Sequence, residues 1–382
     1  MVGSPRQPPR HRAVRGRSAA AGVVTLLALT GVGGARAVAQ GRRVRSTRSA
    51  AVRFGIYPGG GAGTIGPGAT PLPANPSKRL AALEQLADGR PFVLHLYVDY
   101  TGPDGASAAE QIGPQLAGYE HAGFQVELVL CYRPADGGSP HDVAGFARFA
   151  RDAVASPADD PRVVSLQVTN EANVSGAANA TDGYYRSARD ALIAGVIAAK
   201  HEANHLADHR LEVGFNWAYE TGGGEASFWR YLHRHGGDAF ARAVDWVGLD
   251  VYPGTWGQPI DPGDLGRGTT AMMDASLHGL RFHYMPLAGL GRRVAIHVSE
   301  NGYPTGPGRT PAMQATVMRA SIEAVHALSP RYHITDYRWF DLRDADSASP
   351  HFEDRYGLMY DDYTPKLAFW LYRELIMRYG AR

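Results

Sequence analysis

Several functional classes leave no trace in this chain. Its 382 residues hold a single cysteine, Cys131. No intrachain disulfide is possible, so stability has to come from core packing. Cys131 follows Val129 and Leu130 in an apolar run and reads as a small buried hydrophobe, not as a nucleophile. Beyond residue 50, Lys and Arg do not gather into the basic stripe that nucleic acid binding demands. No strand-like run ends in His-x-His: His95, His297 and His333 sit inside such runs as core or supporting residues, and neither a metal nor another cofactor is expected. The glycines at 59 to 63 lack the following helix start and lysine of a phosphate cradle. A glycine-free apolar run of about 20 residues, enough to span a membrane comfortably, is also missing.

What is present begins with an address. Arg6, Arg10, Arg12, Arg15 and Arg17 precede an apolar, small-residue run from Ala19 to Gly34, followed by Ala35-Arg36-Ala37 and Ala37-Val38-Ala39. This is the layout of a secretory signal. Residues 1–39 are expected to be a signal peptide, with a retained anchor as the alternative, and residues 40–52 a flexible linker. The expected location is extracellular, without stable membrane association. Cleavage after Ala39 removes six arginines and no acid, taking the formal charge from +2 to −4. The basic balance therefore belongs to the leader.

Residues 53–382 alternate short β-branched and aromatic runs with helical patterns. The runs are Arg53 to Pro58, Phe92 to Asp99, Gln125 to Arg133, Val163 to Glu171, Leu211 to Trp217, Trp246 to Tyr252, Val294 to Glu300 and Ile334 to Trp339. Their ends are spaced 34 to 48 residues apart, one strand-plus-helix unit each time. Near-continuous apolar strands are those of a parallel sheet buried on both faces, and eight such units predict one α/β domain, a closed (β/α)8 TIM barrel. Asn75-Pro76, Ser139-Pro140 and Thr310-Pro311 mark helix starts, a capping side chain followed by a proline with its φ already helical.

In such a barrel the chemistry sits at the C-terminal strand ends. Two glutamates end buried apolar strands there, Glu171 after Ser165-Leu166-Gln167-Val168-Thr169-Asn170 and Glu300 after Val294-Ala295-Ile296-His297-Val298-Ser299. Burying a carboxylate costs desolvation energy, which function or a partner usually offsets. Strands four and seven stand roughly across the barrel, so both carboxylates point into one cleft. A pair about 5 Å apart suits a retaining glycosidase, one carboxylate attacking the anomeric carbon while the other protonates the leaving oxygen.

The segment Thr169-Asn170-Glu171 resembles the Asn-Glu acid/base motif on strand four of clan A glycoside hydrolases. Val298-Ser299-Glu300-Asn301-Gly302 resembles their strand-seven nucleophile motif in its Glu-Asn-Gly form, as in family 1 β-glucosidases. Trp246 to Pro253, Arg355-Tyr356-Gly357-Leu358-Met359 and Thr364-Pro365-Lys366 are similar to the same clan, so the likeness is strong in the second half of the barrel and weak in the first. The resemblance implies a single catalytic domain that hydrolyses β-glycosidic bonds by double displacement, with Glu171 as acid/base and Glu300 as nucleophile. It further implies that Asn170 holds the sugar 2-hydroxyl, Tyr252 orients Glu300, and Trp339 floors the subsite at the scissile bond. Trp217, Tyr57, Tyr97 and Arg133 are further candidates at the strand ends.

One departure stands out. The clan often carries an arginine near the end of strand two, where this chain has Tyr97 and Asp99. Arg133 either substitutes for it or simply pairs with Asp99. The expected partner is an oligosaccharide or polysaccharide, bound by a monomer. A catalytically inactive carbohydrate-binding barrel and a transglycosylase using the same residues are the alternatives.

Overall fold

The computed structural model describes residues 51–382 apart from 62–65, 120–121, 158–159, 177, 207–210 and 221–223. The leader 1–39 and linker residues 40–50 lie outside the described residues. Val52, last in the expected linker, is buried and bridges Gly380.

Eight parallel strands follow one another around a closed barrel. They are β1 (Arg53–Ile56), β2 (Phe92–Tyr100), β3 (Gln125–Tyr132), β4 (Val163–Val168), β5 (Glu212–Ala218), β6 (Trp246–Val251), β7 (Ala295–Asn301) and β8 (Ile334–Trp339). β8 pairs back onto β1 with Arg53 beside Asp336, so no sheet edge is left open. The helices of the outer layer are α1 (Pro76–Ala87), α2 (Ala108–Ala117), α3 (Pro140–Ala155), α4 (Ala188–His205), α5 (Glu225–Ala243), α6 (Leu265–Gly279), α7 (Met285–Leu287), α8 (Pro311–Tyr332) and α9 (Leu367–Tyr379).

All three X-Pro starts are capped as their side chains allow. Asn75 Oδ1 accepts from Lys78 N at 3.0 Å, and Thr310 Oγ1 accepts from Met313 N at 3.2 Å. Ser139 Oγ accepts from Asp142 N at 3.3 Å while the Asp142 carboxylate accepts from Ser139 N at 2.9 Å, a reciprocal capping box.

Strand alternation divides the side chains between two environments. On β8, Tyr337 makes ring contacts with Phe54 and with Tyr372 of α9, so odd-numbered residues face the helical layer and even-numbered ones the barrel interior. The interior is charged. Asp336 lies 3.0 Å from Arg53 Nε, 2.8 Å from Arg338 and 3.2 Å from His297 Nε2. Glu127 of β3 lies 3.4 Å from Arg338 and 2.8 Å from His95 Nδ1. Arg338 fits only because Gly55 is opposite it on β1, where a Cβ would fall 2.7 Å from the Arg338 stem. This network forms the barrel floor. The apolar core lies outside it, between strands and helices, where each fully buried Leu, Ile or Phe contributes about 1.5–3 kcal/mol.

Candidate active site

At the C-terminal ends of the strands a cavity of about 520 Å³ opens, a size suited to small-molecule ligands. The chain reaches it through strained backbone. After β4, Thr169 and Glu171 take left-handed φ values of 66° and 50° on either side of Asn170. Neither residue type favours that region, and such residues cost roughly 1–3 kcal/mol each unless their surroundings over-determine them. Here they do. Asp182 accepts from Asn170 N at 2.7 Å and donates its own N–H to Asn170 O at 2.7 Å, while Asn216 Oδ1 accepts from Glu171 N at 2.8 Å. The result turns the half-buried Glu171 into the cavity.

Glu300 arrives on β7, where the pairing with β6 and β8 shifts register near Val298. Two phenols hold its carboxylate: Tyr97 Oη donates to Oε1 at 2.6 Å and Tyr252 Oη donates to Oε2 at 2.5 Å. Burial and the charge of Glu300 push both phenols well above the usual tyrosine range, so both stay donors. The Asn301 side chain is spent on structure, donating to Val251 O at 2.6 Å and accepting from Tyr337 at 2.7 Å. Gly302 is required by space: a Cβ there would lie 2.5 Å from Phe340 O.

Glu171, Asp250 and Glu300 bring carboxylate oxygens within 4.8 Å of one another. Enclosure, then the charge of Glu300, raises Glu171 well above the ordinary carboxylate range, with Asp182 and Glu220 adding to it. Asp250 is raised by burial and by the same two glutamates. It is also fully engaged, accepting from Ser299 Oγ and from Asn216 Nδ2, each at 2.5 Å. A cation would find three oxygens here. The O–H and N–H donors that already bind both oxygens of Asp250 and of Glu300 suit a cluster that shares protons instead.

The structure brings together seven of the residues expected at the site. Tyr57, Tyr97, Arg133, Asn170, Glu171, Tyr252 and Glu300 all line this cavity. Asn170 Nδ2 already donates to Ala180 O at 2.8 Å, and Arg133 pairs with Asp99 at 3.1 Å. Two expected residues are elsewhere. Trp217 is fully buried, donates Nε1 to Glu225 and packs on Trp229 of α5 and on Tyr284. Trp339 is fully buried and shares the outward parity of Tyr337. Both sit on the face of their strand turned away from the cavity, since neighbours on a strand point in opposite directions. The residue that faces the cavity at the end of β8 is Phe340, one position on, stacked on Tyr57 with ring centres 5.0 Å apart and planes 9° from parallel. Trp256, Tyr356, Gln258 and Glu353 complete the rim from loops whose course no strand pattern announces.

No protein-family model matches the sequence, and no curated protein does either. Solved structures do match. The GH5_18 protein of Streptomyces cattleya, in complex with GlcNAc, aligns over 87% of this chain and 83% of its own, with a TM-score of 0.58 and 17% identity. A β-glucosidase from Exiguobacterium marinum aligns over 80% and 87%, with a TM-score of 0.55 and 14% identity. A β-glucuronidase of an uncultured Clostridium sp. aligns over 86% of this chain and 50% of its own, with a TM-score of 0.52 and 12% identity.

The fold is the one these glycoside hydrolases share. Its strand-end geometry gives each cavity carboxylate a distinct environment: Glu300 tied down by two phenols, Glu171 free-ended and raised by enclosure. Of the two, Glu171 is the carboxyl that enclosure and a neighbouring charge make hold its proton to higher pH.

Proposed function

We propose that the chain is a secreted retaining glycoside hydrolase that cleaves β-linked oligosaccharides or polysaccharides. The observation that carries the reading is the carboxylate spacing, oxygens of Glu171 and Glu300 within 4.8 Å. Retaining enzymes hold their pair about 5–5.5 Å apart, whereas inverting enzymes leave about 6.5–9.5 Å for a water. In this reading Glu300 attacks the anomeric carbon as Glu171 gives its proton to the departing glycosidic oxygen. Glu171, now a base, then takes a proton from the water that opens the glycosyl ester, and both residues return to their starting states. Tyr97 and Tyr252 fix the attacking carboxylate, and the Tyr57–Phe340 stack offers an apolar face to the sugar ring. Export is proposed from the arginine-rich leader and its Ala-x-Ala sites, and the N-terminus of protein recovered from culture medium would begin near Gln40.

The test is covalent. A 2-deoxy-2-fluoro β-glycoside should add one glycosyl unit to the peptide carrying Glu300, read by mass spectrometry. Labelling of another residue, or wild-type hydrolysis by Glu300→Ala, removes the reading. Product analysis with an added sugar acceptor separates hydrolysis from transglycosylation.

A further inference from the structure

Behind the Tyr97 phenol lies His95, also on β2, and behind His95 lies Glu127 of β3. The chain of contacts runs from Glu300 Oε1 to Tyr97 Oη at 2.6 Å, from Tyr97 Oη to His95 Nε2 at 3.1 Å, and from His95 Nδ1 to Glu127 Oε1 at 2.8 Å. Each hydrogen bond needs one proton between its heavy atoms. Burial alone would raise Glu127, but the Arg338 guanidinium 3.4 Å away leads the groups that outweigh it and hold the carboxyl well below its usual range, so Glu127 brings no proton. Three contacts thus require three protons, while the phenol and a neutral imidazole supply two. The third resides either on Glu300, which would then be no nucleophile, or on the imidazole. The proton on Tyr252 serves the other oxygen of Glu300 and does not change the count.

We propose that His95 is a positioning residue that stands as an imidazolium behind Tyr97 and supplies, through that phenol, the positive charge that keeps Glu300 an anion. The inference rests on the reading of Glu300 as nucleophile. It also accounts for the departure on strand two: an arginine would bring charge and donors directly to the carboxylate, and here a histidine brings the charge and a tyrosine the donor. The surroundings agree. Arg338 of β8 is bound closely by Asp336 at 2.8 Å and stands 3.4 Å from Glu127, so the shortest ionic contact of Glu127 is His95. His297 of β7 lies 3.5 Å from Glu127 through Nδ1 and faces Asp336 through Nε2. Glu300 itself is 4.0 Å from His95 Nε2.

The experiment uses the full chain in three forms, wild type, His95→Gln and Tyr97→Phe, with kcat and KM measured against pH on an aryl β-glycoside that the wild type cleaves. Both substitutions should move the acid limb of kcat/KM up by about one pH unit, about tenfold lower activity on that limb, with the loss in kcat and little change in KM. A merely structural histidine would lower activity at every pH alike. In parallel, ¹⁵N spectra of the imidazole ring at pH 7 should show both nitrogens protonated in the wild type, and a neutral ring in Glu300→Gln. An acid limb unmoved in folded His95→Gln or in folded Tyr97→Phe, or a neutral His95 ring in the wild type, overturns the proposal. If no glycoside is cleaved at all, the functional reading fails, and the ring spectra still decide where the proton sits.

Discussion

On the barrel floor Asp336 is enclosed completely, and burial alone would raise it; His297, Arg338 and Arg53 outweigh that and push its carboxyl down to about 2. At the mouth Asp250 is enclosed as completely, but its charged neighbours are Glu300 and Glu171, and its carboxyl is pushed well up. The two aspartates differ in company, not in depth. The floor sets each charge beside its opposite. The mouth gathers acidic groups, and burial with their mutual repulsion raises Glu171 and Asp250 at a cost in stability.

Substitutions at the mouth and on the floor should act in opposite ways. Glu300→Ala is expected to cost at least ~10³-fold in kcat/KM, about 4 kcal/mol of transition-state stabilisation, while thermal melting shifts little because a repelling charge leaves with it. Arg338→Met should do the reverse, stranding Asp336 and Glu127 and lowering stability by about 3–5 kcal/mol in urea unfolding. A melting curve unchanged in Arg338→Met would show that the floor network is dispensable.

The two ends also titrate in opposite senses. Asp336 has a folded value of about 2 against an ordinary 3.8, so its stabilisation, about 2 kcal/mol, is present above pH 4 and is lost as pH falls toward 2. Asp336→Asn should abolish that acid-side loss. Glu171 runs the other way: its raised value means that the native state loses stability as pH climbs above the ordinary carboxylate range near 4.5. Glu171→Gln should therefore melt higher than wild type at pH 8 and nearly together with it at pH 4, as followed by circular dichroism.

The smallest expected effect concerns substrate charge. Glu171, Glu220, Asp250, Glu300 and Glu353 line the cavity with one cation among the described residues, Arg133, already paired with Asp99. A neutral aryl β-glycoside should be preferred over the matching β-glucuronide by about tenfold, the preference weakening with added salt. Equal rates would mean that the mouth's acidity is screened or protonated away.

Much of this is legible in the sequence. The X-Pro caps were readable because capping is local, and the eight units because parallel strands buried on both faces leave apolar runs. Glu171 and Glu300 stood out because a carboxylate closing such a run is anomalous by itself. Other features had no local signal. In Asp336-Tyr337-Arg338-Trp339-Phe340 charged and aromatic residues alternate as far as Trp339 and all five are buried, so hydropathy does not reveal which set faces inward, and the strand pattern points to Trp339 where Phe340 lines the cavity. His95 and Glu127 are 32 residues apart on neighbouring strands, and only the barrel register sets them side by side.

One further consequence comes from Trp256, which stands at the cavity rim 45% exposed, edge-on to Phe352. Of the six tryptophans, Trp217, Trp229, Trp246 and Trp339 are sealed in the core, and Trp370 is exposed on α9 in the outer helical layer. A sugar entering the cavity would change the solvent around one indole and leave the other five as a constant background. Under the proposed function the protein would carry its own optical gauge of occupancy, one that registers a bound glycan in a variant that no longer turns it over.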